Sequence, residues 1–169
     1  MLILCSPSNP TGSVYSQEEL DKLAAIICNH EDLYVLADEI YEHINYIGKH
    51  ASIARAKGMK ERAIIVNGVS KAYAMTGWRI GYIAAPEWIV KGCNKLQGQY
   101  TSGPCSVSQK AAEAAYTLDQ GCVEEMRQAF ERRRNLIVEL AKAIPGLEVN
   151  VPEGAFYLFP KCSSFFGKS

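Results

Sequence analysis

The most informative stretch of this sequence is residues 68–81, which read GVSKAYAMTGWRIG. It follows an apolar run at 63–66 and leads into another at 80–84. Lys71 therefore lies just beyond a buried strand, and Arg79 follows in a turn flanked by glycines. A lysine in an apolar cleft loses its proton more readily because burial disfavours the charged form, which suits a Schiff-base nucleophile. An arginine offers a planar fork of donors to a phosphate.

Four short apolar runs predict the strands of the fold. Each is apolar on both faces, which is typical of a sheet covered by helices on both sides. Polar residues follow the first three runs at their C-terminal ends, where open α/β sheets bind their ligands. The four runs are Leu2–Cys5, 33–37, 63–66 and 80–84.

Helical patterns fill most of the remaining sequence. Ser16 with Glu19 forms a capping-box pattern and predicts a helix that continues to about Asn29. Short strands are predicted around Pro152-Glu153-Gly154. The further predicted helices are 87–97, 106–118 and 123–143, and the short strands are 147–151 and 155–159.

Composition and charge exclude several classes of partner. The 18 basic and 18 acidic residues cancel, and the basic triplet at 132–134 lies among glutamates, which predicts a solvated helix face. This balanced charge does not favour binding to nucleic acid. No apolar run approaches transmembrane length, so no membrane partner is expected. The six cysteines show no C-x-x-C spacing, which predicts reduced thiols and a cytoplasmic protein. The histidines show no metal-ligand spacing, so no bound metal is expected.

Three segments in the expected order resemble one known family. Residues 68–81 are similar to the lysine signature of the class I/II aminotransferases, which depend on pyridoxal 5′-phosphate, including the spacing from lysine to arginine. Residues 9–12, NPTG, and 37–42, ADEIYE, are similar to two further segments of that family. The sequence is thus identified as a member of the class I/II aminotransferases.

The resemblance implies a role for each of five residues. Lys71 would hold the cofactor as an imine and move the proton between Cα and C4′ as general acid–base. Asp38 would face the pyridine nitrogen and keep it protonated, and Tyr41 would bond the ring oxygen O3′. Asn9, expected before a cis proline bond, would bind the ring hydroxyl and the substrate α-carboxylate. Arg79 would bind the phosphate.

Some of these assignments have alternatives when each segment is considered alone. Asp38 also fits a helix N-cap after a strand, and Tyr41 an aromatic side chain at the edge of the core. Asp38 is preferred to the adjacent Glu39 from the register of the motif. The sequence departs from the family at Gly68, where some members carry a phosphate-binding serine, and Ser70 is a candidate to compensate.

The fold implied is a three-layer α/β/α architecture with a mostly parallel sheet, similar to the fold-type I pyridoxal-phosphate transferases. Residues 1–120 are expected to be part of the large cofactor-binding domain. Residues 121–169 are expected to be the interdomain helix and the beginning of a small C-terminal α/β domain. The resemblance also implies a homodimer.

The function implied is transamination between an amino acid and a 2-oxo acid. The sequences of residues 75–79 and 41–43 are most similar to the bacterial aspartate aminotransferase branch of the family, which favours aspartate and 2-oxoglutarate as substrates. A carbon–sulfur lyase or another transaminase on the same scaffold stays open, as does a non-catalytic effector domain or a truncated remnant. The family's N-terminal stacking aromatic and C-terminal carboxylate-binding arginine have no counterpart here, so the 169-residue chain alone is expected to be inactive.

Overall fold

The computed structural model describes residues 1–167, which form a mixed α/β fold around one four-stranded sheet. Lys168 and Ser169, the last residues of the expected segment 121–169, lie outside the described part. The strands are β1 (Leu2–Cys5), β2 (Val35–Asp38), β3 (Ala63–Gly68) and β4 (Gly81–Ala84). The helices are α1 (Gln17–Ile27), α2 (Glu87–Tyr100), α3 (Ser106–Thr117) and α4 (Gly121–Lys142).

The four apolar runs are the four strands, and they lie in the sheet in chain order. β1 pairs with β2 and β2 with β3 in parallel, whereas β4 runs antiparallel to β3. Asp38 lies opposite Cys5 on one side and Val66 on the other. The C-terminal ends of β1, β2 and β3 therefore meet at one edge of the sheet, and the α/β class with a mostly parallel sheet is confirmed.

Helix α1 begins where the capping box predicts and covers one face of the sheet. The Ser16 hydroxyl accepts from the Glu19 amide at 3.2 Å, and the Glu19 carboxylate accepts from the Ser16 amide at 2.8 Å. Buried Leu20 and Ile27 of α1 pack in one core with residues of β1, β2 and β3. Each such side chain contributes about 1.5–3 kcal/mol when fully buried. The helix ends at Ile27, two residues before the predicted end.

The predictions for the tail are wrong for two segments. Residues 147–151 and 155–159 are not strands, and only single antiparallel bridges form there, Glu148 with Lys161 and Gly154 with Asn45. Between the two segments the amides of Glu153 and Gly154 bond to Gly12, and the Ala155 amide bonds to Ile44. Ala155 also has a left-handed φ of 57°, which interrupts extended structure.

Large apolar side chains stay exposed on the elements after β3. Tyr100 at the end of α2 is 88% exposed, and α2 buries no side chain completely among the described residues. In α2, only Trp88 makes a ring contact, with Tyr34, edge to face at 5.6 Å. Within residues 1–167, no helix combines the length and the apolar composition needed to span a bilayer.

Candidate active site

The candidate site lies at the edge where β1, β2 and β3 end. Asn9 follows β1, Asp38 closes β2, and Lys71 follows β3 by three residues. Cys5, the last residue of β1, pairs with Asp38, the last residue of β2. Burial is the main cause that raises the pKa of the Cys5 thiol. The Lys71 amine lies over the ring of Tyr41, 5.8 Å from its centroid. The sheet thus brings these predicted residues to one edge.

The Asn9 loop is held by its own backbone. The Ser8 amide donates to Ser13 at 2.9 Å, and the Gly12 amide donates to Ser8 at 2.9 Å. The peptide bond from Asn9 to Pro10 is cis, as the resemblance implied. The Asn9 side chain is exposed and makes no hydrogen bond within the described residues, so its amide is available to a ligand.

Asp38 and Glu39 are adjacent, but they bond to different surroundings. One carboxylate oxygen of Asp38 accepts from the Ile40 amide at 3.1 Å, and the other oxygen has no hydrogen bond within residues 1–167. Glu39 is buried, accepts from the Ser52 hydroxyl at 2.6 Å, and lies 2.9 Å from His50 Nε2. The free carboxylate oxygen therefore belongs to Asp38, while Glu39 is engaged in a buried polar cluster.

Tyr41 is buried and keeps its proton. Its hydroxyl oxygen lies 2.5 Å from the hydroxyl oxygen of Tyr157. Burial, followed by the hydrogen bond to Tyr157, raises the pKa of Tyr41 well above its usual range. Phe156 and Tyr157 both meet the Tyr41 ring edge to face, with centroids 5.4 and 5.7 Å away. Tyr41 is therefore a phenol donor in an aromatic wall.

Lys71 lies against the same wall. Its Nζ is 5.8 Å from the centroid of Tyr41 and 5.9 Å from that of Phe156. It forms no salt bridge within the described part of the chain. Rings attract the ammonium form only weakly. The Lys71 amine is thus half-buried, without a carboxylate partner, and available for chemistry.

Arg79 is the most exposed of the predicted residues, apart from the Asn9 loop. It has a left-handed φ of 50°, and its guanidinium donates to the Thr76 carbonyl at 2.9 Å. The Thr76 hydroxyl donates in turn to the Ser70 carbonyl at 3.0 Å. These two bonds connect Arg79 to the backbone next to Lys71, and the guanidinium keeps further donors for an anion.

Steric crowding between β3 and β4 explains the glycine at position 68. Gly68 pairs with Gly81 across β3 and β4, and a Cβ on Gly68 would lie 2.9 Å from the Gly81 Cα. A serine here would force the two strands apart, because real Cβ atoms do not approach backbone this closely. In this chain the close approach of β3 and β4 at Gly81 therefore favours glycine at position 68.

Two residues of the site were missed by sequence reasoning, Phe156 and Tyr157. Their segment was predicted as a strand, whereas the structure places both rings beside Tyr41 and Lys71. The segment is fixed at Gly154, whose amide donates to the Gly12 carbonyl at 2.9 Å. The local signal is Gly154, two residues before the aromatic pair, which indicates a close backbone approach but not the contact with Tyr41.

Comparison with known proteins identifies the family of the chain. The family model described as aminotransferase class I and II matches residues 1–165. The chain belongs to the class I and II aminotransferases, which use pyridoxal 5′-phosphate.

Several of the similar proteins are aspartate aminotransferases, and one solved structure among them is the aromatic aminotransferase of Pyrococcus horikoshii, 44% identical with a TM-score of 0.90 over 95% of this chain and 43% of that one. That of Pinus pinaster is 52% identical over 171 residues, covering 99% of this chain and 35% of the relative. That of Bacillus subtilis is 48% identical, over 94% of this chain and 41% of the relative. The crystal structure of the Rhizobium meliloti enzyme is 44% identical with a TM-score of 0.94, over 98% of this chain and 42% of that one. The chain thus spans well under half the length of these proteins.

The donor set fits pyridoxal 5′-phosphate. Within the described residues, the Lys71 amine has no carboxylate partner, which suits the aldehyde, and one oxygen of the Asp38 carboxylate is free, which suits the ring nitrogen. A protonated phenol suits the ring oxygen. A guanidinium with donors left over suits the phosphate. The residues concerned are Lys71, Asp38, Tyr41 and Arg79.

Proposed function

We propose that the complete protein transfers an amino group between aspartate and 2-oxoglutarate, with Lys71 as its catalytic residue. The observation that carries this proposal is the Lys71 amine against Tyr41 and Phe156, at 5.8 and 5.9 Å from their centroids, without a carboxylate partner in residues 1–167. The aspartate aminotransferases similar to this chain support the choice of substrate.

The chemistry follows from what each side chain can do. When bound, pyridoxal 5′-phosphate supplies an electron sink. Lys71 holds the cofactor through its amine and then carries a proton on Nζ as general acid–base. Asp38 keeps a negative charge facing the ring nitrogen, and Tyr41 donates to the ring oxygen. Phe156 places an apolar ring beside the Lys71 amine, with its centroid 5.9 Å from Nζ.

The two remaining residues position charged groups. Arg79 supplies donors to the phosphate, and its link to Thr76 at 2.9 Å keeps it near the Lys71 turn. Asn9 presents its amide to the ring oxygen and to the substrate α-carboxylate. Both side chains are exposed in residues 1–167, which suits groups that meet a ligand.

The division into domains and the assembly are part of the same proposal. Residues 1–120 belong to the large cofactor-binding domain, and residues 121–169 form the interdomain helix and the start of the small domain. The start of α4 at Gly121 supports this boundary. We further propose a cytoplasmic homodimer, in line with the implied family architecture.

Reduction with borohydride tests the assignment of Lys71. The complete gene product is loaded with pyridoxal 5′-phosphate, reduced and digested, and the peptides are analysed by mass spectrometry. We expect the pyridoxyl adduct on Lys71 and its loss in Lys71→Ala. Lys91 and Lys95, which lie on the exposed helix α2, serve as internal controls. An adduct on either of them instead of Lys71 contradicts the proposal.

A coupled assay tests the activity. Aspartate and 2-oxoglutarate are supplied to the complete gene product and, separately, to the 169-residue chain. We expect turnover only in the complete product, because the chain spans 35% of the Pinus pinaster relative and orientation by the missing groups is worth about 7–11 kcal/mol. Prephenate is a second acceptor to include, since the name of the Petunia hybrida relative contains it. Equal turnover by the 169-residue chain alone would show that the groups outside it are not needed for catalysis, and would contradict this expectation.

A further inference from the structure

The hydroxyl pair of Tyr41 and Tyr157 joins two segments that are 116 residues apart in the chain. The two oxygens lie 2.5 Å apart, and either hydroxyl can be the donor. The rings meet edge to face, with centroids 5.7 Å apart and an interplanar angle of 85°. A hydroxyl has one proton to donate and can also accept. In this pair one phenol therefore donates to the other, and the second keeps its own proton for another acceptor.

Hydrogen bonds at Ala155, two residues earlier, hold the segment that carries Tyr157. The Ala155 amide donates to the Ile44 carbonyl at 2.8 Å, and the Tyr46 hydroxyl donates to the Ala155 carbonyl. Ala155 is fully buried and has a left-handed φ of 57°. A shift of the segment by one residue would place another side chain in this strained, buried position. Tyr157 is thus presented to Tyr41 by a rigid support.

We propose that Tyr157 is a positioning residue whose hydroxyl donates to Tyr41 Oη and turns the Tyr41 proton toward the ring oxygen of the cofactor. This inference rests on the proposed function, because it concerns the role of Tyr41 there. Tyr41 can donate to the ring oxygen in a relay only when its own oxygen accepts from Tyr157. Two hydrogen bonds in series strengthen each other in a site of low polarity. The relay therefore stabilises negative charge on the ring oxygen better than Tyr41 alone.

The test is Tyr157→Phe in the complete gene product, which removes the hydroxyl and keeps the ring. Two properties are measured that do not depend on turnover: the dissociation constant of pyridoxal 5′-phosphate from the apo-protein, and the pH midpoint of the absorption change of the bound cofactor. Loss of one hydrogen bond raises the dissociation constant about 2- to 12-fold. The midpoint rises by about 0.3–1 pH unit, because a hydrogen bond to the charged oxygen holds that midpoint down.

Double substitution shows whether Tyr157 acts through Tyr41. Adding Tyr157→Phe to Tyr41→Phe is expected to move neither quantity further. Tyr46→Phe is the matched control, because it removes another hydroxyl that supports the same segment. It is expected to lower the melting temperature without moving the midpoint.

The outcomes separate this inference from the proposed function. The relay is overturned, while cofactor binding stands, if Tyr157→Phe leaves the pH midpoint unchanged. It is also overturned if Tyr157→Phe shifts the midpoint by the same amount in the wild-type and the Tyr41→Phe backgrounds. If the wild-type protein binds no pyridoxal 5′-phosphate, the proposed function fails and the relay fails with it.

Discussion

Replacing Asp38 by Asn removes one charge from the candidate site and almost nothing else. The carbonyl oxygen of Asn can still accept from the Ile40 amide, which Asp38 now does at 3.1 Å. The change therefore leaves the turn after β2 intact and removes only the negative charge that is proposed to face the ring nitrogen.

The magnitude follows from the burial of Asp38. Removing one partner of a buried ion pair costs about 3–5 kcal/mol. Asp38 is only half-buried, so we take the lower end of that range, about 3 kcal/mol. If this loss falls on the transition state, kcat/KM drops by about two powers of ten. The melting temperature is expected to stay close to that of the wild type.

The assay is kcat/KM for aspartate in the complete gene product, measured beside thermal unfolding. Glu39→Gln is the control, because it changes the adjacent acid. Glu39 accepts from the Ser52 hydroxyl at 2.6 Å and lies 2.9 Å from His50 Nε2, so this variant should lose stability and keep its activity within a factor of a few. The reasoning is refuted if Asp38→Asn stays within tenfold of the wild type.

Two further predictions concern stability. In Gly154→Ala the new Cβ would lie 2.6 Å from the Pro7 Cβ, so the free energy of unfolding of the complete gene product, measured with denaturant, should fall by about 1–3 kcal/mol. In the control Gly92→Ala, in α2, the new Cβ meets open space, so this variant should be as stable as the wild type or more stable. Equal stability of the two variants would contradict the crowding at Gly154. The hydrogen bond to Glu42 raises the pKa of His43, so the pair stabilises the fold fully below about pH 6.5 and this contribution disappears as the pH rises through the raised pKa. The melting-temperature difference between wild type and His43→Gln should therefore be larger at low pH than in alkaline buffer, and a constant difference would count against the pair.

Much of the sheet was predictable because its signals are local. The four strands coincide with four apolar runs, and α1 begins at Ser16 because the capping box lies within four residues of sequence. The positions of Asp38 and Lys71 at strand ends follow from the same runs. The antiparallel direction of β4 did not follow from its composition, since an apolar run does not encode the direction of its neighbour.

The tail could not be predicted in this way because its partners are distant. The run at 155–159 has the apolar composition of a strand, but its conformation depends on Ile44, which accepts from Ala155 at 2.8 Å. The contact of Tyr157 with Tyr41 spans 116 residues and has no local sequence signal. A composition that fits a strand was therefore overruled by tertiary hydrogen bonds.

The connection between the Asn9 loop and the tail has a consequence for the order of folding. The Gly12 carbonyl accepts from the amides of Glu153 and Gly154, and the Val14 amide reaches the Glu153 carboxylate across 139 residues of chain. Closing a loop of this length costs about 4 kcal/mol of chain entropy, more than the shorter closures that pair β1, β2 and β3. The sheet can thus form early in synthesis, whereas the aromatic wall of the site waits until the chain beyond Gly154 has emerged. Hydrogen exchange at the Glu153 and Gly154 amides would then report the last step of assembly, and Lys71 would stay uncovered by Phe156 until that step is complete.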